Sequence, residues 1–149
     1  MGRRTTRESA FKLLYQMEFQ KGDEEAQIDS YLEEYAVDPK EKDYFLGVVR
    51  GVTAHKEEID ALFSKHLKGW SLNRLPRIDL AILRIAVYEI LFLKEVPFSV
   101  SVNEAVELAH KYSAEESRGY INAVLGKLEP AVPEPAVTEP AVTEPGEPG

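Results

Sequence analysis

The sequence has no cysteine, one tryptophan and three histidines. It also has no apolar run long enough to cross a bilayer. Without cysteine there is no disulfide framework and no thiolate metal site, which suits a reducing, cytoplasmic setting. The most apolar stretch, Ile78 to Leu93, falls short of a span and carries Asp79, Arg84 and Glu89. It reads as a buried helix, and no membrane partner is expected. No uninterrupted apolar segment of the signal type follows the basic start at Arg3, Arg4 and Arg7.

Catalytic signatures are missing as well. There is no Gly-x-Gly-x-x-Gly, Walker loop, His-Glu-x-x-His or Gly-x-Ser-x-Gly. His55, His66 and His110 are widely spaced and lack a nearby carboxylate pair at ligand spacing. Glu57, Glu58 and Asp60 read as a solvated helix face. The chain is expected to be a binding protein, not an enzyme, with no cofactor and no metal.

The formal net charge is −8, with 18 basic and 26 acidic residues. Five of the glutamates lie from Glu129 onward, where there is no Lys or Arg, so residues 1–128 sum to only −3. The first twelve residues carry Arg3, Arg4, Arg7 and Lys12 against Glu8 alone. Phosphate binding depends on such a local patch and not on the whole-chain sum. Exposed aromatics usually complete a single-stranded RNA surface, and Tyr15, Tyr112 and Tyr120 are candidates.

Six of the nine prolines lie at or after Pro130, in a tail that starts with three five-residue Glu-Pro-Ala-Val-x units. Proline removes backbone donors and the glutamates repel one another. Residues 129–149 are therefore expected to be a disordered tail, and residues 1–128 the folded domain.

Alternating strand patterns are absent, and apolar residues recur at helical spacing. Phe11, Leu14, Tyr15 and Phe19 mark one helix, and Ile28, Tyr31, Leu32 and Tyr35 a second. A third region, Phe45 to Leu67, is too long for one ordinary helix and is expected to break between Gly51 and His55. Pro76 opens a helix that is apolar nearly all round and should be central. Three capping boxes are expected, at Thr5 with Glu8, Ser101 with Glu104 and Ser113 with Glu116. Arg84 and Glu89 should pair with opposite charges or carbonyls, because unpaired buried charge is costly. Asn103 and Asn122 read as satisfied packing amides, and Trp70 as an anchor between two halves. The fold class is all-α, a compact bundle of about seven helices.

A succession of segments carries more. Trp70-Ser71-Leu72-Asn73-Arg74-Leu75 comes first, then Ile78-Asp79-Leu80-Ala81-Ile82-Leu83-Arg84-Ile85-Ala86-Val87-Tyr88-Glu89. Val96-Pro97-Phe98, Val102-Asn103-Glu104-Ala105-Val106-Glu107-Leu108-Ala109 and Tyr120-Ile121-Asn122-Ala123-Val124-Leu125 follow in order. Together with Arg3-Arg4-x-x-Arg7-Glu8 and Leu14-Tyr15-Gln16, this pattern over residues 3–128 resembles the NusB family. The resemblance implies seven helices in two three-helix subdomains. It implies binding of boxA-containing RNA jointly with NusE, a small-subunit ribosomal protein. Other Nus factors and RNA polymerase complete the antitermination complex on ribosomal RNA operons.

Carried over by position, Arg3, Arg4 and Arg7 match the family's basic RNA-binding start. Tyr120 matches an aromatic at the RNA surface, and Glu116 an acidic position whose charge limits RNA affinity. Tyr15 and Asp79 match positions implied to face RNA or NusE. Thr5 and Thr6 thin the arginine run, and Gly119 stands where many members have lysine, which implies more reliance on the partner protein. Two alternatives remain open: a stand-alone helical protein-interaction module, and a relative of the N-terminal domain of ribosomal RNA cytosine methyltransferases without the catalytic domain. Either a monomer or a homodimer is compatible with the pattern.

Overall fold

The computed structural model describes residues 2–67, 69 and 71–129. In chain order the helices are α1 (Arg3–Phe19), α2 (Glu24–Glu34), α3 (Lys42–Ala54), α4 (Lys56–Ser64), α5 (Arg77–Phe92), α6 (Phe98–Tyr112) and α7 (Glu115–Gly126). Short 3-10 turns at Pro39–Glu41 and Leu72–Arg74 lead toward α3 and α5. Among the described residues there is no strand. Residues 130–149 of the tail expected over 129–149, and the expected anchor Trp70, lie outside the described residues.

Helix α5 is the centre of the packing, as its apolar circumference predicts. It packs against α1, α3, α4, α6 and α7. Leu80, Ile82, Leu83, Ile85 and Val87 are all buried. Helices α5, α6 and α7 form one three-helix group. On the other side of α5 lie α1 and α3, with α2 against α1 and α4 against α3 and α5. The two groups share one continuous core, in which Leu13, Phe45, Phe63, Ile82, Ile121 and Leu125 have essentially no exposed surface. Each such side chain contributes about 1.5–3 kcal/mol by leaving water.

The expected break in the third region falls at His55, where α3 ends and α4 begins. Four residues earlier, Gly51 allows α3 to approach α5 closely. A Cβ at that position would lie 2.2–2.5 Å from the Tyr88 ring.

None of the three expected capping boxes forms. Helix α1 already begins at Arg3, with Gly2 as its N-cap, so Thr5 lies inside it. Ser101 lies inside α6, which opens after Pro97, and its hydroxyl donates to Glu89 at 2.8 Å. Ser113 precedes Ala114, the N-cap of α7, and donates to Asp79. Both helices begin at other residues, and each serine hydroxyl spends its proton on a buried carboxylate of α5, a charge-assisted hydrogen bond roughly twice as strong as a neutral one. Side-chain caps do form at Asp23 and Asp38, whose carboxylates accept from the backbone N–H of Glu25 and Lys40.

Candidate nucleic-acid interface

Positions 3, 4 and 7 fall on neighbouring turns of one helical face. Helix α1 presents that face to α3, α5 and α6, so the three arginines are ordered on a helix. They then part ways. Arg7 is only 4% exposed. Its Nε donates to Glu89 Oε2 at 2.7 Å and its Nη2 to Glu89 Oε1 at 3.2 Å, while Nη1 lies 3.4 Å from Glu104 Oε1. Glu89 is fully buried and also accepts from Ser101 and from the Tyr44 hydroxyl. Burial alone would lower the Arg7 pKa, but the Glu89 hydrogen bond and charge outweigh it, so the guanidinium stays charged. Burial, and then the charge of Glu89, push the Tyr44 phenol above its ordinary value, so it keeps the proton it donates.

Arg3 and Arg4 remain at the surface. Arg3 donates to Glu41, and its guanidinium stacks 4.1 Å above the Tyr44 ring. Arg4 forks onto Glu104, with Nε to Oε1 at 3.0 Å and Nη2 to Oε2 at 2.6 Å. Beside this pair a groove of about 440 Å³ runs between α1 and α6, lined by Arg4, Glu8, Glu104, Glu107, His110 and Lys111. Lys111 donates to Glu8 at 2.6 Å, and Glu8 also accepts from Tyr112. The sequence marks Glu104 as a capping partner of Ser101 and does not single out Lys111. Glu104 belongs to one of the ordered motifs, but nothing local shows that it faces α1.

A second polar junction joins α5 to α7. Asp79 has no exposed surface. It accepts from Ser117 at 2.8 Å, and from Ser113 and Tyr120. Asp79 therefore does not itself face a partner; it holds Tyr120, which is half-buried. Burial, and then the bond to Asp79, raise the Tyr120 phenol above its ordinary value, so the proton stays on the tyrosine. Glu116 is exposed, on the first turn of α7 and one turn before Tyr120. The fold thus brings Glu116, Tyr120 and Asp79 together at one place, and Arg3, Arg4 and Arg7 at another.

Tyr15 lies half-buried in an aromatic row on α1. Its ring is 6.4 Å from Phe11 and 5.0 Å from Phe19. Phe11 in turn touches Tyr112 at 5.0 Å, which links the row to α6. Phe19 ends the row 60% exposed, an apolar surface at a position whose helical spacing predicts the core.

Asn103 and Asn122 correct another expectation. Both are exposed, along a groove between α6 and α7 that Phe98, Val102 and Arg118 also line. The α6 and α7 faces that pack are carried by Ala105, Leu108, Ala109, Ile121, Val124 and Leu125. Helical phase turns both amides outward. Arg84 pairs as expected, donating to Asp60 at 2.8 Å and to Glu18 at 2.9 Å.

The chain is similar to known proteins over most of its length. A model described as the NusB family matches residues 4–130. The transcription antitermination protein NusB of Acetivibrio thermocellus is 51% identical over 128 residues, covering 86% of this chain and 88% of that protein. Among solved structures, T. maritima NusB is similar at a TM-score of 0.82 and 37% identity, over 89% of this chain and 94% of that one. A crystal structure of antitermination factors NusB and NusE in complex with dsRNA is similar at a TM-score of 0.77 and 28% identity, over 86% and 96% of the two chains.

Proposed function

The chain belongs to the NusB family, and on that premise we propose that it is a transcription antitermination factor that binds boxA-containing RNA together with NusE. Its work is binding, within a complex that includes other Nus factors and RNA polymerase. The observation that carries this reading is the similarity, over 86% of the chain, to a NusB solved with NusE and RNA. No helix among the described residues is long and apolar enough to cross a membrane. A protein that works on nascent bacterial RNA acts in the cytoplasm.

Within this function the residues take different parts. Arg3 and Arg4 offer guanidinium groups to phosphates, a geometry suited to two-point recognition. Tyr120 offers a ring face to a base, and Glu116 sets a repulsive charge beside it. Arg7 and Asp79 act from within: one fixes the start of α1, the other fixes Tyr120. Tyr15 and the exposed Phe19 suit an apolar contact with NusE.

A fluorescence anisotropy titration tests the function. The chain should bind boxA RNA weakly alone and more tightly with NusE, and the two ligands should strengthen each other reciprocally. Equal affinity for wild-type and scrambled boxA, with and without NusE, would overturn the reading.

A further inference from the structure

The Arg4 fork is occupied before any RNA arrives. Two parallel hydrogen bonds, at 3.0 and 2.6 Å, run to the two oxygens of Glu104, the arrangement that a phosphate accepts from arginine. The Arg4 side chain is 69% exposed and the Glu104 side chain 11%, so the cation faces solvent and the carboxylate sits behind it. Glu104 is tied from beneath by Arg7 Nη1 at 3.4 Å. We propose that Glu104 is an affinity-setting residue: it holds Arg4 in the free protein, and an RNA phosphate takes the Arg4 fork from it. This rests on the RNA-binding reading above.

The exchange works because the two arginines are unequal. When Arg4 turns to a phosphate, Glu104 keeps Arg7 as its counterion, so no buried carboxylate is left alone. Arg7 has no such freedom, since its departure would strand the fully buried Glu89. The mobile partner is therefore Arg4, and Arg7 is the anchor that makes its release tolerable. The groove beside the pair admits the phosphate, and Lys111 on its wall is held in turn by Glu8.

The test is anisotropy titration of labelled RNA with the full chain and NusE, across a salt series, using E104Q, R4A and the double variant. E104Q should bind about two- to fivefold more tightly, the fold-change of one exposed ion pair relieved. In the R4A background that gain should vanish. R4A alone, an exposed change harmless to the core, should lower the salt slope by about 0.7, as expected when one fewer single-strand phosphate is neutralised. The proposal is overturned if E104Q binds no more tightly than wild type, or if its gain survives in R4A. An unchanged salt slope in R4A also overturns it, and this decides the matter should circular dichroism show E104Q unfolded. These comparisons are read on either wild-type or scrambled boxA. A loss of boxA preference would therefore count against the function, not against the role of Glu104.

Discussion

The Tyr120 hydroxyl donates to a carboxylate, Asp79, that has no exposed surface of its own. A surface aromatic is thereby held by a buried charge that also gathers Ser113 and Ser117. Asp79→Ala removes the one carboxylate that three hydroxyls share at the α5–α7 junction. Urea unfolding should show a loss of about 1–3 kcal/mol.

The ring and the hydroxyl of Tyr120 can be separated. Tyr120→Phe keeps the stacking face and loses the donor, so stability should fall by about 1 kcal/mol while boxA affinity is kept. Tyr120→Ala should weaken RNA binding by about 1–3 kcal/mol, the range for loss of one base–aromatic stack. Equal affinity losses in the two variants would show that the ring face is not the working part.

Arg7→Ala should act on folding first. It strands Glu89, which has no exposed surface, and removes one of two counterions from Glu104. Breaking a buried pair in this way costs about 3–5 kcal/mol. Circular dichroism with denaturant should show the loss without RNA present. The salt slope of whatever RNA binding survives should match wild type, because a buried guanidinium does not reach a phosphate.

Acid should weaken the fold through Glu18. Its carboxylate accepts from Arg84 at 2.9 Å and lies 3.3 Å from Lys56 and 3.7 Å from Arg77. Burial alone would raise the Glu18 carboxyl, but Arg84 and Lys56 outweigh it and hold it below its ordinary value. Such a group contributes stability above its unfolded pKa of about 4.3 and loses that contribution as pH falls through the folded value. The urea midpoint should therefore be flat near neutrality and decline below about pH 4.3. Glu18→Gln should flatten that decline.

Glu116→Lys should tighten boxA binding, since it replaces a repulsive charge beside Tyr120 with an attractive one. The site is exposed on the first turn of α7, where a cation opposes the helix dipole. A stability loss of about 0.3–1 kcal/mol should accompany the gain. Unchanged affinity in a folded variant would remove Glu116 from the interface.

Much of this molecule is legible in its residues. The helical period, the all-round apolar face of α5 and the break near His55 are local patterns, and a helix reports its buried face through its own spacing. The ordered motifs from Arg3 to Leu125 carry the family. Spacing does not say where a polar side chain finds its partner. Ser101 and Ser113 look like N-caps, but α6 and α7 begin at other residues, and both hydroxyls donate to carboxylates buried on α5. Arg4 and Arg7 look alike in sequence, yet Glu89 and Glu104, more than 80 residues away, draw one inward and leave the other at the surface. Helical periodicity is written in neighbouring residues; charge pairing in a bundle is decided between helices distant in the chain, by which carboxylate the fold buries opposite which cation.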